Sequence, residues 1–136
     1  METADSGRQT FRKPERLVSR LAFERLMKQG ESLHQFPVRA VWKSFQLPTP
    51  YPIQVAFSVP KRNFRRAVDR NRIKRLMREA YRKNKNLLYT LLKGTGKQYA
   101  VMFVFTGKKL PSFQEIERLV SSTLENIAKS VQKTAE

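Results

Sequence analysis

At 136 residues, with 40% hydrophobic and 10% aromatic positions, the chain has the size of one domain and enough apolar side chains to fill a core, which excludes wholesale disorder. Its 28 Lys+Arg against 11 Asp+Glu give a formal net charge of +17, a balance that points to a polyanionic partner. No cysteine and a single histidine, His34, exclude disulfide scaffolds, thiolate metal sites, thiol nucleophiles and histidine clusters. The longest apolar run, Tyr99 to Phe105, is far shorter than the ~20 residues of a membrane helix. The N-terminus opens on Glu2 and Asp5 without an apolar h-region, so a cytoplasmic setting is expected.

In chain order, residues 1–10 read as a flexible polar tail and 11–136 as a single domain. Arg20 to about Gln29 is predicted helical: Ser19 can cap it, Val18 and Phe23 stand at staple positions, and Gly30 offers a left-handed stop. Phe23, Leu26 and Met27 form its apolar stripe. Alternation over Phe36 to Phe45 predicts a strand, with a weakly signalled extra strand around Ser32 to Gln35. Leu47 to Pro52 carries three prolines and reads as a loop. Ile53, Val55, Phe57 and Val59 alternate with Gln54, Ala56 and Ser58 as the next strand, ended by Pro60.

The following stretch is the most charged. Between Lys61 and Lys85 stand twelve basic residues against only Asp69 and Glu79, whereas a solvated helix face ordinarily mixes signs. From about Asp69, Ile73, Leu76, Met77, Ala80 and Tyr81 recur at helical spacing. Asn71, Lys74, Arg75, Arg78 and Arg82 fall on the opposite side, with Arg70 nearer the stripe. Such a helix buries one side in protein and turns the other toward a polyanion. It lacks the exposed Trp or Phe anchors of a membrane-surface helix, so nucleic acid is the expected partner. Leu87 to Leu92 continues helically until Gly94-Thr-Gly96. Tyr99 to Phe105 reads as a strand covered on both faces. Ser112 with Glu115 forms a capping box for a last helix whose stripe runs from Phe113 to Val131. The fold class is α+β, an α-β-β-β-α-β-α sandwich with a mixed sheet packed by helices. If the strands flanking the basic helix are parallel neighbours, the general rule gives a right-handed crossover.

The run Ala67-x-x-Arg70-Asn71-Arg72-x-Lys74-Arg75-x-x-Arg78-Glu79, preceded by Lys61 and Arg62, resembles the protein subunit of bacterial ribonuclease P. Arg16-Leu17, Phe23 and Gly30 are similar to the opening of that family, and the resemblance spans roughly Arg16 to Val131. It implies an accessory RNA-binding subunit of the ribonucleoprotein that removes the 5′ leader from precursor tRNA, with the RNA subunit and Mg²⁺ as catalyst and no protein catalytic residues. It also implies a left-handed strand-helix-strand crossover, in place of the general rule, in a sandwich similar to a domain of a small-subunit ribosomal protein. Arg70, Asn71, Arg72, Lys74, Arg75 and Arg78 match positions that face the catalytic RNA, and Lys61, Arg62, Arg65 and Arg66 extend that patch. Phe23 matches an aromatic lining a cleft for the unpaired leader. Met27 stands where the family more often has Phe, and Pro60 replaces a small residue.

The same roles follow from physics. Single-stranded RNA binds where a basic track meets aromatic surface, with stacking worth ~1–3 kcal/mol per base. Arg16, Phe23, Met27, Phe36, Arg39 and Ser58 are the candidates for such a cleft, although Phe23 and Phe36 also suit ordinary core positions. Trp42 reads as core, and His34 as a surface or strand-end residue. Arg forks suit phosphates better than Lys does. The Asn71 amide suits a sugar or base edge, or else a local backbone bond. Two further classes compete: a structural RNA-binding protein of ribosomal type, which composition equally allows, and a self-sufficient nuclease. Metal-dependent protein nucleases need clustered carboxylates, while Asp69 and Glu79 stand isolated among cations.

Overall fold

The computed structural model describes residues 13–17, 19–93 and 95–135. The 1–10 tail and the staple position Val18 lie outside them. A short 3-10 turn, Lys13–Glu15, precedes α1 (Arg20–Gln29), β1 (Glu31–Gln35), β2 (Val38–Ser44), β3 (Ile53–Ser58), α2 (Ala67–Asn84), α3 (Asn86–Lys93), β4 (Tyr99–Phe105) and α4 (Phe113–Ala135). One mixed sheet has the order β1-β2-β4-β3, antiparallel except for the parallel pair β3/β4. The α+β sandwich is therefore as expected, and the weakly signalled β1 exists. It pairs with β2 through the two-residue turn Phe36-Pro37, which holds a cis peptide bond, so β2 begins at Val38 and not at Phe36.

Alternation divides each strand between two faces. Val38, Ala40 and Trp42 of β2, Ile53 and Val55 of β3, and Tyr99, Val101, Phe103 and Phe105 of β4 are buried in the main core with Ile73, Met77, Ala80 and Tyr81 of α2 and the stripe of α4. The opposite face carries a smaller cluster, in which Leu17, Ala22 and Leu26 cover Val41, Ala100 and Met102. Since α1 covers only part of that face, the rest stays open to solvent.

Helix ends follow local chemistry. Ser19 Oγ accepts the Ala22 N–H at 3.2 Å, and Ser112 Oγ accepts the Glu115 N–H at 3.1 Å, as their capping patterns predict. Two expectations need correction. The basic helix starts at Ala67, with Arg66 at its cap making no side-chain cap bond. Gly30 is extended, at φ −73°, and not left-handed. What Gly30 supplies is room, because a Cβ there would stand 2.6 Å from the Leu26 carbonyl oxygen and 2.7 Å from Val41 Cγ1. Gly30→Ala is expected to cost about 1–3 kcal/mol by overpacking, read as a lower urea midpoint at unchanged slope. Among the described residues the left-handed glycine is Gly96, at φ 69°.

The remaining loops are tied by side chains. Gln98 pins the proline-rich loop: its Oε1 accepts the Leu47 N–H at 2.9 Å and its Nε2 donates to the carbonyls of Thr49 and Tyr51 at 2.6 and 2.8 Å. At the outer edge of β3, Arg16 bridges Val55 in parallel and the Leu17 N–H donates to the Val55 carbonyl at 2.9 Å. Glu15 is thereby carried into the interior, where its carboxylate pairs with Lys85 and accepts the Tyr89 hydroxyl at 2.7 Å. Lys85, the last of the twelve basic residues of the charged stretch, is fully buried at the joint between α2 and α3.

Candidate nucleic-acid interface

The side of α2 away from the core carries charge of one sign. Asn71, Arg72, Arg75 and Arg78 are exposed, and Lys74 and Arg70 half-buried. Among the described residues, none of Arg72, Lys74, Arg75 and Arg78 forms an ion pair, whereas Arg82 on the same helix is taken up by Glu79. That hydrogen bond holds the Glu79 carboxyl below its ordinary range. Partial burial, and then the neighbouring charges of Arg16 and Arg75, push the Arg78 guanidinium down. Cations placed to repel one another in this way are relieved by a bound anion. Asn71 makes no side-chain hydrogen bond among the described residues, so the local backbone bond does not form and the amide is presented outward.

The loop before α2 is held as an extension of this face. Phe64 is buried, its ring centroid 5.9 Å from that of Phe105. Arg70 Nη1 donates to the carbonyls of Phe64 and Arg65 at 2.8 and 2.9 Å. Lys61, Arg62, Arg65 and Arg66 all stay exposed around this anchor. Arg70, assigned from sequence to RNA, thus has a structural task as well: it fixes the loop that presents four other cations.

Beside the loop, the uncovered part of the sheet forms a groove of about 780 Å³. Its floor is Arg39, Val41, Ser58, Met102 and Val104; its walls are Met27 of α1, Pro60, Arg62 and Asn63 of the loop, and Thr106 and Lys108 after β4. Arg39, Arg62 and Lys108 make the lining cationic, and no acidic side chain contributes to it.

Of the six cleft candidates, Met27, Arg39 and Ser58 line this groove and three do not. Phe23 is half-buried and packs on the small cluster beneath α1, because its position in the helix turns it toward the sheet; Met27, at 58% exposure, reaches the groove instead. Arg16 lies at the β3 edge. Phe36 sits in the hairpin turn, 70% exposed. Sequence reasoning missed Val41 because alternation in β2 picked out Phe36, Val38, Ala40 and Trp42, and it missed Met102 and Val104 because β4 reads as one apolar run. It missed Lys108 because no periodicity marks the segment after that strand. Trp42 is core and His34 exposed, as expected.

The sequence profile of the Ribonuclease P family matches residues 11–128. The chain is similar to the Ribonuclease P protein component of Porphyromonas gingivalis, 36% identical over 123 residues that cover 90% of each chain. It is also similar to that of Chlorobium phaeobacteroides, 43% identical over 82 residues, or 55% of this chain and 56% of the relative. Among solved structures, the RNase P protein of Thermotoga maritima superposes with a TM-score of 0.63 at 21% identity, covering 82% of this chain and 96% of that one. The RNase P protein of Staphylococcus aureus gives 0.61 at 21% identity, covering 86% and 97%. At that identity the structural likeness establishes the fold.

Proposed function

This chain belongs to the ribonuclease P protein family, and from that premise we propose that it serves as the accessory subunit of an RNA-catalysed endoribonuclease that removes the 5′ leader of precursor tRNA. In this reading the outward face of α2 and its preceding loop dock on the catalytic RNA, and the groove takes the unpaired leader. The observation that carries it is the run Arg72, Lys74, Arg75 and Arg78, turned away from the core and without an acidic partner among the described residues. Guanidinium groups so presented bind phosphate in bidentate fashion, and the cationic groove beside them extends the track.

Among the described residues no three His, Cys, Asp or Glu side chains stand together to hold a metal ion. Mg²⁺ is ordinarily held through waters, substrate phosphates and one or two carboxylates, not by an all-protein cage. We place Mg²⁺ with the RNA and substrate, where added cations from this protein lower the phosphate repulsion that high Mg²⁺ otherwise screens. No described helix is long and apolar enough to cross a membrane, and a cytoplasmic place of action belongs to the same proposal.

The test is leader removal by the catalytic RNA at low Mg²⁺, with and without the protein. Stimulation that fades as Mg²⁺ is raised is the expected result. No stimulation at any Mg²⁺ concentration overturns the assignment, as does leader removal by the protein freed of RNA.

A further inference from the structure

The row of side chains forming the groove floor runs further than the groove. Paired residues on neighbouring strands project from the same face of a sheet, and the register joins Ser58 to Val104, Val104 to Arg39, and Arg39 to His34. The first three line the groove, so His34 on the edge strand β1 is the next step along one continuous surface. Its Nε2 lies 2.9 Å from the Thr106 hydroxyl, and Thr106 is itself a groove residue. The hairpin tip and the segment after β4 are held as one unit, because the Thr106 N–H donates to the Pro37 carbonyl at 2.7 Å. Gly107 fits there only without a side chain, since a Cβ would stand 2.9 Å from Pro37 Cβ.

On this braced tip the Phe36 ring stands 70% exposed, in edge contact with the His34 imidazole at 6.2 Å between centroids. Lys108 and Lys109 follow on the adjoining segment, both exposed. A single presented ring bordered by cations suits the π-face of a nucleobase, whereas docking of a protein calls for a contiguous apolar patch.

We propose that the tip is an outer stacking site for an unpaired RNA base. A strand leaving the groove past Arg39 crosses His34 and lays one further base on Phe36, with Lys108 and Lys109 at its phosphates. This rests on the reading of the groove as the leader site. It extends that site on the β1 side of the sheet, opposite the loop that leads into α2.

The experiment measures affinity of the assembled ribonucleoprotein for precursor tRNAs whose leaders grow from one to about ten nucleotides. Phe36→Ala is expected to weaken binding about tenfold, equivalent to about 1.4 kcal/mol, and only for leaders long enough to reach the tip. Phe36→Trp is expected to restore it. Because the ring is exposed, the melting temperature should not move. An unchanged length dependence in Phe36→Ala, or an equal loss with short and long leaders, overturns the outer site. Arg39→Ala with Arg62→Ala separates this from the reading beneath it. If that pair also leaves the length dependence intact, the groove reading falls as well; if it abolishes the dependence while Phe36→Ala does not, the outer site falls alone.

Discussion

Lys85→Met, with Glu15 left in place, is expected to lower folding stability by about 3–5 kcal/mol, because it takes the Lys85 counter-charge away from a buried carboxylate. Both side chains are fully buried, so water cannot take the place of the lost partner. Glu15→Leu should cost a similar amount by removing the carboxylate that Lys85 pairs with, and it also removes the Glu15 acceptor of the Tyr89 hydroxyl. The combination of Glu15→Leu and Lys85→Met should cost well below the sum of the singles, since an apolar pair has no charge left to desolvate. Adding Tyr89→Phe then removes the hydroxyl that has lost its Glu15 acceptor. Chemical denaturation of the parent, the two single variants and the double variant measures the coupling. Additive costs would mean that the two charges do not depend on each other.

The same cluster sets a limit at high pH. Burial is the largest cause that pushes the Tyr89 phenol above its ordinary value, and Glu15 and Tyr81 push in the same direction; burial does the same for Tyr81. The folded state therefore keeps these protons at a pH where the unfolded chain releases them. Stability from this source is complete below about pH 10 and declines as pH rises beyond it. Tyr89→Phe should flatten part of that decline in alkaline unfolding curves.

These contacts mark the limit of what the sequence makes legible. The stripe of α2 could be read because Ile73, Met77, Ala80 and Tyr81 satisfy helical periodicity within a single element, and burying that stripe dictates that Arg75 and Arg78 point away. The motif spacing added the family, and with it the parallel pairing of β3 and β4 became a natural expectation. Glu15 could not be read. A lone acid in a polar segment looks solvated, and its partner Lys85 lies 70 residues away among eleven other cations, with no local signal to separate it from them. The groove was half legible for a related reason. Arg39 stands out as a cation among apolar neighbours, Ser58 as a small residue on the sheet, and Met27 through the family resemblance, but Met102 and Val104 are hidden in a run where both faces are apolar. Gly30 shows a third kind of limit: its sequence position fits a left-handed stop, and only the approach of Val41 reveals that volume decides.

The second large effect concerns salt. If the cation face and groove neutralise six to ten phosphates, affinity for the RNA should fall roughly 10³–10⁵-fold between about 50 and 200 mM monovalent salt on the duplex-DNA scale, and somewhat less for single strands. Arg75→Gln with Arg78→Gln should reduce the slope of log affinity against log salt by about 1.4–1.8, the share of two phosphate contacts. Folding should survive this change, because both residues are exposed and because Arg78 already works against Arg16 and Arg75; the melting temperature should hold or rise. Arg70 is a poor choice for the same experiment, since its loss would release the Phe64 and Arg65 carbonyls and confuse loop order with charge. Ile73→Asp supplies the opposite control. Ile73 is fully buried against the core, so a carboxylate there should unfold the domain whatever the salt. Equal salt slopes for the parent chain and the Arg75, Arg78 double variant would show that the phosphates lie elsewhere, and the face assignment of α2 would have to be abandoned.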